Sequence, residues 1–169
     1  MDASVTSSRA LIASAALIAA IVVSATAIAC GSDDNTIAAP KAPTYVATLS
    51  GAGERPDPKA VPGTGNATIV KNGTTYTYTI TYTGMTGALT GAHIHGPAGV
   101  DAIANVIVPF DFTGAGPSGT LTGTFTGTNN VNVTPDSLDK LLNSGNAYVN
   151  LHTAANGAGE IRGQLSKQQ

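Results

Sequence analysis

Between Thr75 and Thr83 the chain reads Thr-Tyr-Thr-Tyr-Thr-Ile-Thr-Tyr-Thr. Tyr76, Tyr78, Ile80 and Tyr82 alternate strictly with threonines, a period of two that predicts a strand with one apolar and one wet face. The Asn72-Gly73 pair just before it is a strong hairpin signal, and Gly65 to Val70 supplies the partner strand. Further short strands are predicted over Tyr45–Ser50, Leu89–His95, Ala104–Phe112, Ser118–Thr126, Asn146–His152 and Glu160–Leu165. Pro109, inside the Ala104–Phe112 segment, marks an edge or a bulge. Only one stretch reads as a helix. Thr134 fits an N-cap, Pro135 the first helical position, and Leu138, Leu141 and Leu142 one apolar face before Gly145 stops it. Seven or eight short strands with one short helix predict an all-β, antiparallel sandwich or barrel.

The pattern ahead of this domain is different. Arg9 precedes an apolar run from Ala10 to Ala29, which closes on Ala27-Ile28-Ala29-Cys30-Gly31. A basic start, an apolar stretch and small residues before a cut site describe a secretory signal. The only cysteine, directly after the small residue, resembles the lipobox of bacterial lipoproteins, whose cysteine is diacylated. Residues 1–29 are then a signal peptide, Cys30 the lipidation site, 30–43 a flexible tether and 44–166 the domain. Two other readings stay open: a membrane anchor that is never cleaved, and an ordinary signal peptide with an incidental cysteine. The lipoprotein reading places the protein in the bacterial cell envelope, periplasmic or on the outer surface, with the membrane as a partner through the lipid. Nothing after Cys30 can form an internal disulfide, so packing alone holds the domain.

Composition narrows the function classes. Charged residues make up 11% of the chain, with a net charge of −2. No lysine or arginine stripe exists to track a nucleic acid backbone. No Gly-x-Ser-x-Gly motif, phosphate-binding glycine loop or pair of carboxylates on one strand face is found, so no residue is assigned a catalytic role.

The candidate chemistry lies in the histidines. All three sit in two strand segments, Gly91-Ala92-His93-Ile94-His95-Gly96-Pro97 and Tyr148-Val149-Asn150-Leu151-His152-Thr153. His93 and His95 share one strand face while Ile94 takes the core side. Tyr148, Asn150 and His152 likewise share the face opposite Ala147, Val149 and Leu151. If the two strands are neighbours, three imidazoles and Tyr148 form one outward patch. An H-x-H pair with a distant third histidine is a workable set for copper or zinc. The competing reading is structural: the rings pin the turns at Gly96-Pro97 and Thr153-Ala154 by hydrogen bonds to loop carbonyls. Glu160 and Arg162, two apart on the last strand, are placed near the same sheet end, or else form a surface ion pair worth about 0–1 kcal/mol.

These blocks, with Ala47-Thr48-Leu49-Ser50-Gly51, Thr83-Gly84-Met85-Thr86-Gly87 and Gly159-Glu160-Ile161-Arg162-Gly163-Gln164-Leu165, resemble the CHRD domain, named after chordin and widespread in exported bacterial proteins. The resemblance runs in order over nearly all of 44–166. It implies an immunoglobulin-like β-sandwich or barrel, with a distant likeness to copper/zinc superoxide dismutases and no settled activity. His93-Ile94-His95-Gly96 is similar to the copper-binding strand of those enzymes. The resemblance implies His152 as a later ligand and Arg162 as a guide for the anion. The bridging histidine, the zinc-loop histidines and the disulfide of those enzymes have no counterpart. The expectation is a surface-anchored binding or structural module, with His93, His95 and His152 as candidate metal ligands and Tyr148, Glu160 and Arg162 as their neighbours; a copper- or zinc-binding protein without catalysis is the intermediate reading. Its partner is expected to be an exported protein or a polysaccharide. The alternative is a copper-dependent, dismutase-like enzyme.

Overall fold

The structure, a computed structural model, describes residues 41–127 and 133–169. The expected signal peptide, Cys30 and most of the expected tether lie outside the described residues. The chain divides into two units, and the second, Ala39–Gln169, contains every element described. In chain order these are β1 (Thr44–Ser50), β2 (Thr64–Asn72), β3 (Thr75–Thr83), β4 (Leu89–His95), β5 (Val106–Pro109), β6 (Gly119–Thr126), α1 (Pro135–Ser144), β7 (Tyr148–Thr153), β8 (Asn156–Gln164) and the two-residue β9 (Ser166–Lys167). The strands form one antiparallel sheet in the order β5-β4-β7-β8-β1-β2-β3-β6, with β9 paired to β1. The sheet curls into a nearly closed barrel. The Tyr78 and Phe110 rings, 4.4 Å apart, meet across the gap between its two ends.

The alternation of β3 behaves as its sequence predicts. Tyr76, Tyr78, Ile80 and Tyr82 are buried and the threonines between them face out. Gly73, in the left-handed conformation at φ 61°, turns the chain from β2 into β3, a conformation that costs a residue with a Cβ. Tyr45, Leu49, Ile69, Ile80, Ile94, Leu151 and Ile161 fill the interior. Each such side chain, fully buried, contributes about 1.5–3 kcal/mol. α1 starts where Thr134 accepts a hydrogen bond from the Ser137 N–H and stops at Gly145 with φ 69°. It buries Leu138 and Leu142 in the core. Its Asp139 accepts hydrogen bonds from Lys71 Nζ and the Tyr76 hydroxyl, which ties the helix to the β2–β3 hairpin.

Two expectations need correction. The segment predicted as a strand over Ala104–Phe112 pairs only over Val106–Pro109. Pro109 has no N–H for the ladder, and the register shifts between Ile94 and His95. The outward face of the histidine strands is also not wet. Every residue of β7 is buried, on both faces. Two connections lie over that half of the sheet, residues 51–63 and 96–105. They close tightly: a Cβ on Gly53 would lie 2.3 Å from the Arg162 carbonyl oxygen. The Arg55–Asp101 ion pair, 3.2 Å, links the two connections on the outside.

Candidate metal centre

β4 and β7 are neighbours, paired with His93 opposite Asn150, His95 opposite Tyr148 and Gly91 opposite His152. The period of two therefore delivers all three imidazoles to one face. His93 and His152 stand diagonally, within reach of long side chains, and His93 Nδ1 lies 3.3 Å from His152 Nε2. Gly91 makes the meeting possible, because a Cβ there would lie 2.9 Å from His93 Cε1 and 3.2 Å from His152 Cδ2. One nitrogen from each of His93, His95 and His152 falls within 4.8 Å of the others.

Two backbone carbonyls settle where the protons sit. His95 Nδ1 is 2.9 Å from the Ala104 carbonyl oxygen and His152 Nδ1 is 3.1 Å from that of Gly157. A carbonyl only accepts, so each Nδ1 carries the hydrogen and each Nε2 keeps its lone pair. His152 Nε2 then accepts from Nδ1–H of His93. His95 Nε2 is buried and has no partner, a deficit that ordinarily costs about 1–3 kcal/mol. Burial lowers the pKa of all three rings. For His93 it does so to about 4, with His152 and His95 adding like-charge repulsion. For His95 and His152 the carbonyl hydrogen bonds oppose the effect of burial without cancelling it. The rings are thus neutral at physiological pH, the form that binds metal.

The predicted neighbours divide. Tyr148 stacks on His95, with ring centroids 4.9 Å apart and planes 4° from parallel. The Arg162 guanidinium lies 3.5 Å from the Tyr148 ring centroid, on β8. Its Nη2 donates to the carbonyls of Gly99 and Val100 at 3.1 and 3.3 Å. Glu160 belongs elsewhere. Its carboxylate accepts from the Thr86 N–H at 2.7 Å, from Asn156 Nδ2 at 3.0 Å and from the hydroxyls of Thr86 and Thr153. Burial pushes its pKa up, and these hydrogen bonds outweigh that and hold it low. The surface ion pair between Glu160 and Arg162 does not form either; both side chains are buried. A register shift between Leu151 and Thr153, where β7 meets β8, separates the two residues.

One participant escaped the sequence. Glu54, at the start of a covering connection, is 2% exposed. Its Oε2 accepts from Asn150 Nδ2 at 3.5 Å, and a Cβ on Gly159 would lie 2.6 Å from it. Burial raises its pKa to about 7, against the opposing pull of Arg162. Glu54 Oε1, Asn150 Oδ1 and Arg162 Nη1 are buried without a partner. Asn150 could be placed on the histidine face by alternation. Glu54 could not, because it arrives from a loop 96 residues away in the chain.

A curled antiparallel sheet with three imidazoles beneath loops on half of its outer face defines an all-β module built around a polar cluster rather than an open cleft. The chain belongs to the CHRD domain family, whose model matches residues 45–165 and so spans both histidine strands. Membership supports a module without assigned catalysis. Comparisons with curated proteins and with solved structures give no match.

Proposed function

We propose that this CHRD domain is a non-catalytic metal-binding module, taking copper or zinc between His93, His95 and His152 and held in the cell envelope by a lipidated Cys30. The observation that carries the metal reading is His95 Nε2: a buried lone pair with no partner, in a ring whose other nitrogen is committed to a backbone carbonyl. Outer-shell hydrogen bonds of this kind are what orient imidazole ligands. The spacing fits as well. Two nitrogens at about 2.0–2.1 Å from one ion stand about 3.4 Å apart at the tetrahedral angle, close to the 3.3 Å between His93 and His152. The widest nitrogen separation, up to 4.8 Å, has to shorten to about 3.4 Å when an ion binds. His93 would move its proton from Nδ1 to Nε2 to offer the third lone pair. His93 is also the least covered of the three, and leaves the approach for the ion.

The dismutase alternative asks Arg162 to meet anions arriving from solvent. Arg162 is 2% exposed, its guanidinium packed on Tyr148 and tied to two carbonyls, which favours a structural part for it. The test is metal content of the full chain, purified from membranes and dialysed after exposure to copper or zinc. About one ion per chain is expected by mass spectrometry, and none in His93→Ala/His95→Ala. Equal metal in both proteins overturns the reading. Cys30→Ala should release the protein from the membrane fraction; retention there refutes the lipid anchor.

A further inference from the structure

Away from the histidines, the outward face of β2, β3 and β6 carries a lattice that the metal reading does not use. In the register of these strands, Thr68, Thr79 and Thr122 stand side by side in one row. The row on one side holds Thr81 and Thr120, and that on the other holds Thr77 and Thr124. The two remaining positions of the block are Asn66 and Val70, the latter of the same shape as threonine. None of the nine positions is charged, in a chain of which 11% is charged. All but Thr68 and Val70 are exposed. None of the seven threonines has a side-chain hydrogen bond to the rest of the described residues. The simplest alternative is that threonine was chosen for strand propensity and cross-strand pairing. Pairing by hydroxyl hydrogen bonds is not what these residues do.

We propose that this face binds ice. Neighbouring strands repeat at about 4.7–4.9 Å and same-face residues along a strand at about 6.7 Å, so the hydroxyls and methyls form a two-dimensional grid. β-Branching restricts χ1, which makes the grid stiff before anything binds. A stiff, uncharged array of alternating methyl and hydroxyl groups, with its hydroxyls unspent, matches a neutral surface that is itself periodic in two directions and made of hydrogen-bonding oxygen. The oxygen rows on the faces of an ice crystal repeat on the same scale. The occupant must be neutral, because the face offers no charge to pair with. A crystalline polysaccharide fits less well: sugar rings stack on exposed aromatic rings, and Tyr76, Tyr78, Tyr82 and Phe125 of these strands all point into the core. Strand twist of about 20–25° per neighbour confines the match to these three strands at the β6 end of the sheet.

The experiment uses the full chain in detergent, frozen slowly onto a cold polycrystalline ice surface beside an inert protein of similar size. The wild type is expected to enter the ice severalfold more than the inert protein and to facet single crystals. Thr79→Lys/Thr122→Lys, which plants two long charges at the centre of an exposed face, is expected to be excluded like the inert protein while keeping its circular dichroism and melting temperature. Should that variant not fold, Thr79→Tyr takes its place with the same expectation, because its bulk lifts the face off a flat lattice. Exclusion of the wild type from ice, or equal uptake of the folded variant, overturns the proposal. Retention on crystalline cellulose or chitin without ice uptake also overturns it, and identifies a polysaccharide instead.

Discussion

Replacing Glu54 by glutamine tests the polar cluster beneath the loops. Burial of this carboxyl lifts its pKa from 4.5 to about 7 in the folded protein. At about 1.36 kcal/mol per pH unit, that difference is worth about 3 kcal/mol. The sign follows from where the proton is held. Below pH 4.5 the group is protonated in both states and its contribution to stability is fully present. As the pH rises from 4.5 through 7, the unfolded chain gives up the proton first, and that stability is lost until the folded carboxyl ionises too. The histidines run the other way. Their folded pKa values are lowered from 6.5, that of His93 to about 4, so their contribution is present above pH 6.5 and lost as the pH falls. Glu54→Gln removes one titration and leaves the other intact, and glutamine keeps an oxygen for Asn150. Thermal unfolding with a chelator present, at pH values from 4 to 8, should therefore show wild type and variant together at pH 4. By pH 8 the variant should be the more stable by about 3 kcal/mol, or roughly 10 °C in Tm for a domain of this size. A gap that stays constant with pH, or that narrows as the pH rises, refutes the burial of an unpaired carboxyl.

Three further outcomes follow from the packing. Gly91→Ala would place a methyl 2.9 Å from His93 and 3.2 Å from His152, so metal retention measured by competition with a chelator should fall about 10–100-fold while the unfolding transition stays cooperative. Leu142→Ala empties a fully buried position under α1 and should cost about 2–5 kcal/mol in urea unfolding. Asp139→Ala leaves the buried Tyr76 ring's hydroxyl and Lys71 without their shared partner, which should cost about 1–3 kcal/mol by the same measurement.

The strands and the helix were legible because their signals are local. Alternation in β3, the Asn72-Gly73 turn, the Thr134 cap and the Gly145 stop each need only a few neighbouring residues. The histidine face was legible for the same reason, since a period of two places His93, His95, Tyr148, Asn150 and His152 without knowledge of the rest. What alternation could not show is what lies on top. β4, β7 and β8 present the same alternation as β3, yet their outer face is roofed by residues 51–63, from a distant part of the chain, and by residues 96–105, the connection that follows β4. Glu54 belongs to that roof and looked like a loop residue. Glu160 was misplaced because a single register shift between Leu151 and Thr153 breaks the parity on which such placement depends. The β5 segment was overextended because apolar residues around Pro109 carry the pattern of a strand without the backbone donor to continue one.

The roof also changes how the two readings of the histidines relate. Pinning a loop and holding a metal looked like rivals, one bland and one chemical. In the structure they are two ends of the same ring. His95 pins the 96–105 connection at Ala104 and His152 pins the start of β8 at Gly157, each through Nδ1. Because those contacts spend Nδ1, they leave each Nε2 as an acceptor: that of His95 without a partner, that of His152 facing His93 Nδ1. Tyr148 and Arg162 stack behind His95 and keep its ring from turning away. A chain with a single cysteine and two ion pairs among its described residues gains a fixed cluster this way, with the backbone contacts that stabilise the fold also setting the tautomers. Loss of a loop contact should therefore be felt at the metal before it is felt in the sheet, because the sheet beneath is held by Ile94, Val149 and Leu151, all fully buried on the opposite side.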